Sequence, residues 1–175
     1  SALDGLAEGY ARALASAARG AAWVIDTQPT NFLHVGLARL LAPDLRVVWL
    51  RRDPRDLARA CYARGFADAA FDFAAEPTGV GRYLGALARL RRHWRSLMPG
   101  QCLTVDYERL VTDPEGQVRR VLDHLGLSWD PACGDYDQPG RASLSAPPAF
   151  TGRLDARDVG RGHVYADRFP GLPVA

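Results

Sequence analysis

Apolar positions along the chain follow two periods. Leu3, Leu6, Ala7, Tyr10, Ala11 and Leu14 recur at helical spacing, which predicts an amphipathic helix over residues 3–18, closed by Arg19-Gly20. Ala21–Ile25 is a short unbroken apolar run with Asp26 at its end, the pattern of a buried strand. Thr27-Gln28-Pro29-Thr30 then turns the chain, and Thr30 is placed to cap a helix over Asn31–Leu41 that carries Phe32, Val35, Leu37 and Leu40. A second apolar run, Leu45–Leu50, predicts another strand. Two strands joined by a helix within about thirty residues form a βαβ unit, hence a parallel pair.

The second half continues in the same manner. A helix is predicted from Asp53 to about Ala63, then an aromatic and acidic loop over Gly65–Thr78. Gly79–Met98 reads as a long helix with Tyr83, Leu84, Leu87, Leu90 and Trp94 inward, and with Arg89, Arg91, Arg92 and Arg95 on its solvated face. Pro99-Gly100 ends it, Cys102–Val105 is a third strand, and Asp106-Tyr107-Glu108 follows. Asp113-Pro114-Glu115 opens a helix that Gly126 stops. The expected fold is α/β, a short parallel sheet of three strands flanked by helices. Residues 1–130 form its core. Residues 131–175, rich in Gly, Pro, Asp and Arg, form an irregular C-terminal arm, either a disordered tail or an ordered segment folding back over a ligand.

One stretch brings these elements to chemistry. Val47–Tyr62 reads VVWLRRDPRDLARACY: a strand ends in Arg51-Arg52, and a helix starts with Asp53 as N-cap and Pro54 in its first position. Open α/β sheets bind ligands at such strand ends. A guanidinium beside a helix N-terminus suits a phosphate, since fixed charge and free N–H groups both face the anion. A solvated strand end with two surface arginines is the other reading. Asp26-Thr27-Gln28-Pro29 and Asp106-Tyr107-Glu108 end the other two strands. In a parallel sheet all three ends share one edge, which suits a phosphorylated nucleotide.

Bulk properties narrow the field. A chain of 175 residues, 47% apolar, makes one domain with a real core. No apolar run reaches the eighteen or so residues a membrane span needs. Asp4 and Glu8 in the first segment argue against a signal peptide. A net charge of +2 argues against a broad nucleic-acid surface. All 22 basic residues are arginine, so no ammonium is available for phosphate binding or catalysis. Cys61, Cys102 and Cys133 lack metal-type spacing and read as reduced thiols of a cytoplasmic protein. The scattered histidines, His34, His93, His124 and His163, suggest no metal site, and neither GxxxxGK[ST] nor GxGxxG occurs.

DTQPTNFLHVGLARLLAPDLRVVWLRRDPRDLARACYARGF, residues 26–66, resembles the middle of a PAPS-dependent sulfotransferase of the bacterial, tetratricopeptide-repeat-associated kind. The similarity continues through Gly81-Arg82-Tyr83, His93–Gly100, Val105–Val111 and Leu125–Pro131. It implies the C-terminal two-thirds of a P-loop-NTPase-like α/β domain, incomplete at the N-terminus. The implied activity is transfer of a sulfuryl group from PAPS to a hydroxyl or amine, with PAP as the spent nucleotide and no metal. By the same resemblance Arg52 would hold the nucleotide 3′-phosphate, Tyr107 would lie near the nucleotide, and Ser143 or Ser145 would approach the phosphosulfate. Thr27 stands where relatives carry a lysine, and Ala60 where they carry a serine. Arg161 falls in a closing GRW-type motif that reads Gly160-Arg161-Gly162 here. The loop cradling the 5′-phosphosulfate and the usual catalytic acid would precede Ser1. Catalytic residues are therefore unassigned. The site would be completed by a further N-terminal segment of the same protein, or the domain closed by homo-oligomerisation. The alternative is a catalytically degenerate sulfotransferase-like module with a binding or assembly role.

Overall fold

The computed structural model describes residues 2–18, 20–28, 30–64, 69–135 and 156–173. The chain opens with α1 (Ala2–Ala18), followed after an irregular segment by a single helical turn, Asn31–Leu33, and α2 (Val35–Leu41). Strand β1 (Val47–Arg51) leads into α3 (Pro54–Arg64), a tight helical stretch (Ala69–Ala75) and the long α4 (Pro77–Leu97). Then come β2 (Cys102–Asp106), α5 (Tyr107–Thr112) and α6 (Pro114–Leu125).

β1 and β2 pair in parallel, in register from Val47 opposite Cys102 to Arg51 opposite Asp106. Parallel neighbours need a crossover, and α3 and α4 supply it. The architecture is therefore α/β, a parallel sheet flanked by helices. Helix starts follow the expected chemistry at two places. Asp113 caps α6 by accepting the Gly116 N–H at 3.0 Å, and Pro54 opens α3 directly after Asp53. Thr30 makes no cap hydrogen bond, and the helix expected over Asn31–Leu41 divides at His34.

Two further expectations are corrected. The sheet has two strands among the described residues, not three. Ala21–Ile25 is irregular, with a bend at Ala22, and unpaired with any described strand; its apolar side chains face outward, with Trp23 48% and Ile25 81% exposed. A segment becomes a strand only where a neighbour accepts its backbone hydrogen bonds, and no described strand lies beside this one. The other correction concerns α4. Arg89, Arg92 and Arg95 are exposed as expected, but Arg91 is half-buried and turns toward the strand ends.

The core gathers Ala58 from α3, Val80 and Leu84 from α4, Ala74 before it, and Phe169 from the C-terminal arm. Phe73 stacks on Tyr83 with ring centroids 3.7 Å apart. Trp94 donates its indole N–H to the Phe32 carbonyl at 3.2 Å, which fastens the chain before α2 to α4. The arm packs so closely that a Cβ on Gly81 would overlap the Pro170 carbonyl.

Gly81 lies in the interior of α4, where alanine ordinarily gains about 1 kcal/mol over glycine. We expect the reverse sign here. Gly81→Ala should destabilise the chain by about 1–3 kcal/mol because the arm must shift. Urea denaturation of the two proteins measures it, and a more stable Gly81→Ala chain contradicts the packing described.

Candidate functional site

The carboxyl ends of β1 and β2 meet in an ion pair that closes their last rung: Arg51 Nε lies 2.5 Å from Asp106 Oδ1. The hydrogen bond from Arg51 holds the Asp106 carboxyl below its usual range, against the opposing effect of partial burial. One residue further on, Arg52 does something different. Its guanidinium carbon sits 4.8 Å from the centre of the Tyr107 ring, and Nη2 donates to the Asp158 carbonyl at 3.1 Å. Its Nε is buried and has no hydrogen-bond partner among the described residues.

Asp53 then turns the chain into α3. Its carboxylate accepts the Arg55 backbone N–H at 2.8 Å and the Arg55 side chain at 3.0 and 2.7 Å. These bonds, the side-chain ones foremost, overcome partial burial and depress the Asp53 pKa to about 2. The Asp53 N–H donates to Glu108 Oε1 at 2.7 Å, so α5 and the start of α3 are tied to each other.

The C-terminal arm completes the edge. Asp56, on the first turn of α3, is 1% exposed. Its carboxylate accepts the backbone N–H of Gly160 at 2.6 Å and that of Gly162 at 2.5 Å. A Cβ on Gly162 would collide with the Arg55 and Asp56 backbone, so only glycine lets the arm approach this closely. Held there, Asp158 becomes a meeting point. Its carbonyl takes Arg52, while its carboxylate lies 3.3 Å from Arg161 Nη1 and 3.6 Å from Arg59 Nη1. Three guanidiniums thus converge on a residue with one negative charge. Such a cluster retains net positive charge and suits a dianionic oxyanion such as a phosphate monoester.

Of the residues singled out from sequence, Arg52 and Tyr107 are in contact, and Arg161 joins Arg52 through Asp158. Thr27 lies in the exposed irregular segment and takes no part in this network. Ser143 and Ser145 lie outside the described residues. Sequence reasoning missed Asp56, Arg59 and Asp158 as site residues, while Glu108 belongs to a strand end it singled out. The three-residue spacing of Asp53, Asp56 and Arg59 could have placed two of them at the helix start; Asp158 carries no local signal.

Beside this cluster a cavity of about 340 Å³ opens between the strand ends and α4, with Arg52 on its lining. Among the described residues no group of three or more His, Cys, Asp or Glu could hold a metal ion. No described helix is long and apolar enough to cross a membrane.

Comparison with known proteins places this edge in context. A family model described as "Sulfotransferase family" matches residues 2–131. An uncharacterised Aquifex aeolicus protein is 33% identical over 115 residues, 65% of this chain and 15% of its own length. The omega-hydroxy-beta-dihydromenaquinone-9 sulfotransferase Stf3 of Mycobacterium bovis is 28% identical over 65% of this chain and 30% of its own. A Drosophila melanogaster protein-tyrosine sulfotransferase is 25% identical over 56% of this chain and 20% of its own. The chain therefore spans less than a third of the length of these relatives. In fold it is similar to a sulfotransferase domain from the curacin biosynthetic pathway, with a TM-score of 0.56 at 13% identity over 87% of this chain and 52% of the other.

Two outcomes test this geometry. Asp56→Asn keeps one acceptor oxygen but turns an amide NH₂ toward a buried N–H, which leaves a donor unsatisfied. Stability should fall by about 1–3 kcal/mol, and the Gly160 and Gly162 amides should exchange faster. Unchanged exchange rates would rule out the clasp. The Asp53 pKa is lowered on folding, so its contribution is complete above its unfolded value of about 4 and fades as pH falls toward about 2. The stability gap between the parent chain and Asp53→Asn should accordingly narrow over that interval; a constant gap would show that the Arg55 bonds do not form.

Proposed function

This chain belongs to the sulfotransferase family, and from that membership we propose that it carries the nucleotide-gripping edge of a sulfuryl-transfer site, with PAPS as donor and a hydroxyl or amine as acceptor. The supporting observation is the convergence of Arg52, Arg59 and Arg161 on Asp158, next to Tyr107. In this reading Arg52 takes the 3′-phosphate of the nucleotide. Its Nη2 is held by the Asp158 carbonyl, and a phosphate oxygen meets the remaining outer donors of the fork. Tyr107 keeps the guanidinium plane fixed from one face, so the fork is oriented before the ligand arrives.

In the transfer, the acceptor oxygen or nitrogen bonds to sulfur, and the bond from sulfur to the 5′-phosphate oxygen breaks. PAP departs with that electron pair, and the acceptor proton passes to a base. Residues that hold the 3′-phosphate do not touch this reacting centre. They contribute binding and register, shared by ground and transition states. Cys61, Cys102 and Cys133 form no disulfide among the described residues, which suits a cytoplasmic setting.

A second reading, a degenerate module that binds without transfer, draws support from Thr27 and Ala60, which offer neither the ammonium nor the hydroxyl of related sites.

Arg52→Ala should weaken PAP binding by about 10- to 100-fold, the equivalent of a lost charge-assisted hydrogen bond of about 1.5–3 kcal/mol. In the full-length protein it should raise the KM for PAPS far more than it lowers kcat. Titration calorimetry with PAP checks the first, and equal affinity of the two proteins would remove Arg52 from the role. Labelled PAPS decides between the readings: PAP binding without transfer favours the module, measurable transfer the enzyme.

A further inference from the structure

Asp158 gathers the arginine cluster and is also an anion sitting on it. The two roles use different atoms. Its main chain is fixed from two sides. Arg52 Nη2 donates to the Asp158 carbonyl at 3.1 Å, and two residues on, the Gly160 N–H donates to the buried Asp56 carboxylate at 2.6 Å. Its side chain is held loosely. It is 55% exposed, and one oxygen, Oδ1, serves both remaining arginines, 3.3 Å from Arg161 Nη1 and 3.6 Å from Arg59 Nη1. Ion pairs this long and this exposed are individually weak.

A carboxylate oxygen on a guanidinium is the same kind of contact as a phosphate oxygen on a guanidinium. In the empty site the Asp158 carboxylate therefore lies where Arg59 and Arg161 would meet a bound anion. A phosphate monoester brings two charges against its one, and the two anions repel each other if both stay. Rotation about the Asp158 Cα–Cβ bond carries the carboxylate into water and leaves the carbonyl on Arg52. We propose that the Asp158 carboxylate is a built-in competitor for the nucleotide 3′-phosphate. It fills Arg59 and Arg161 in the empty site, yields them to the dianion and takes them back as PAP leaves. The proposal rests on the reading of this edge as the one that grips PAP. It makes Asp158 a residue that sets affinity and release without touching the reacting sulfur: its backbone builds the site, and its side chain limits how tightly the site holds.

Calorimetric titration of the full-length protein tests this, with PAP and with AMP, which lacks the 3′-phosphate. Asp158→Asn keeps an oxygen that accepts from both arginines and removes the charge. PAP should bind this variant about three- to tenfold tighter than the parent, and AMP no tighter. Asp158→Glu, which keeps the charge, should show no gain. With Arg59→Gln and Arg161→Gln already in place, the carboxylate has nothing to occupy, and Asp158→Asn should then gain about twofold or less. Unchanged or weaker PAP binding by Asp158→Asn overturns the proposal and leaves the nucleotide reading standing. The same gain for AMP, in Asp158→Glu, or on top of the two glutamines also overturns it, since competition for the two arginines would not be its source. Absence of PAP binding by both the parent and Asp158→Asn removes the proposal together with the nucleotide reading.

Discussion

The fully buried carboxylate of Asp56 is the constraint from which the rest of the site follows. A carboxylate removed from water is costly unless its oxygens are hydrogen-bonded, and here two backbone N–H groups from a segment more than a hundred residues away meet both of them. The exchange works in both directions. Gly160 and Gly162 find acceptors for N–H groups that the turn leaves free, and Asp56 finds donors at a point where α3 alone could not provide enough of them. A residue at the start of one helix thereby fixes where the chain terminus crosses the sheet edge.

That single attachment would let the arm pivot. A second one, of opposite chemical character, stops it. Phe169 enters the core between α3 and α4, at 5% exposure, and Pro170 lies directly on the Gly81 backbone. Polar contact at one end and apolar burial at the other define a line, and Asp158 lies just before the polar end. Its carbonyl and carboxylate can then meet Arg52, Arg59 and Arg161 at once. Repulsion among three guanidiniums would otherwise spread them into solvent. Partial neutralisation holds them within reach of one another and leaves positive charge unspent.

The sequence made some of this legible. The helix start at Asp53-Pro54 was readable because capping is local chemistry, and so was the pair of strands Val47–Arg51 and Cys102–Asp106. The contact of Arg52 with Tyr107 was foreseeable because parallel strands put their ends on one edge. Ala21–Ile25 misled because an apolar run encodes burial against something, and the run cannot say whether a partner strand is there. Arg91 misled for a related reason: periodicity puts it with Arg92 and Arg95, yet the cavity at the strand ends is a tertiary feature. Asp158 was invisible, since nothing nearby in the chain marks it, and only the clasp at Asp56 brings it to the site.

Arginine is the one cation this chain uses, and the geometry shows why that matters at the edge. Arg52 lies over the Tyr107 ring, donates Nη2 to the Asp158 carbonyl and keeps a second donor, Nε, without a partner among the described residues. A planar, delocalised cation can satisfy all three because stacking and hydrogen bonding use perpendicular directions. A lysine ammonium, a compact and strongly hydrated point, would have to give up the stack to make the hydrogen bond. In both Arg52 and Arg91 the buried nitrogen without a partner among the described residues is Nε, the donor nearest the stem.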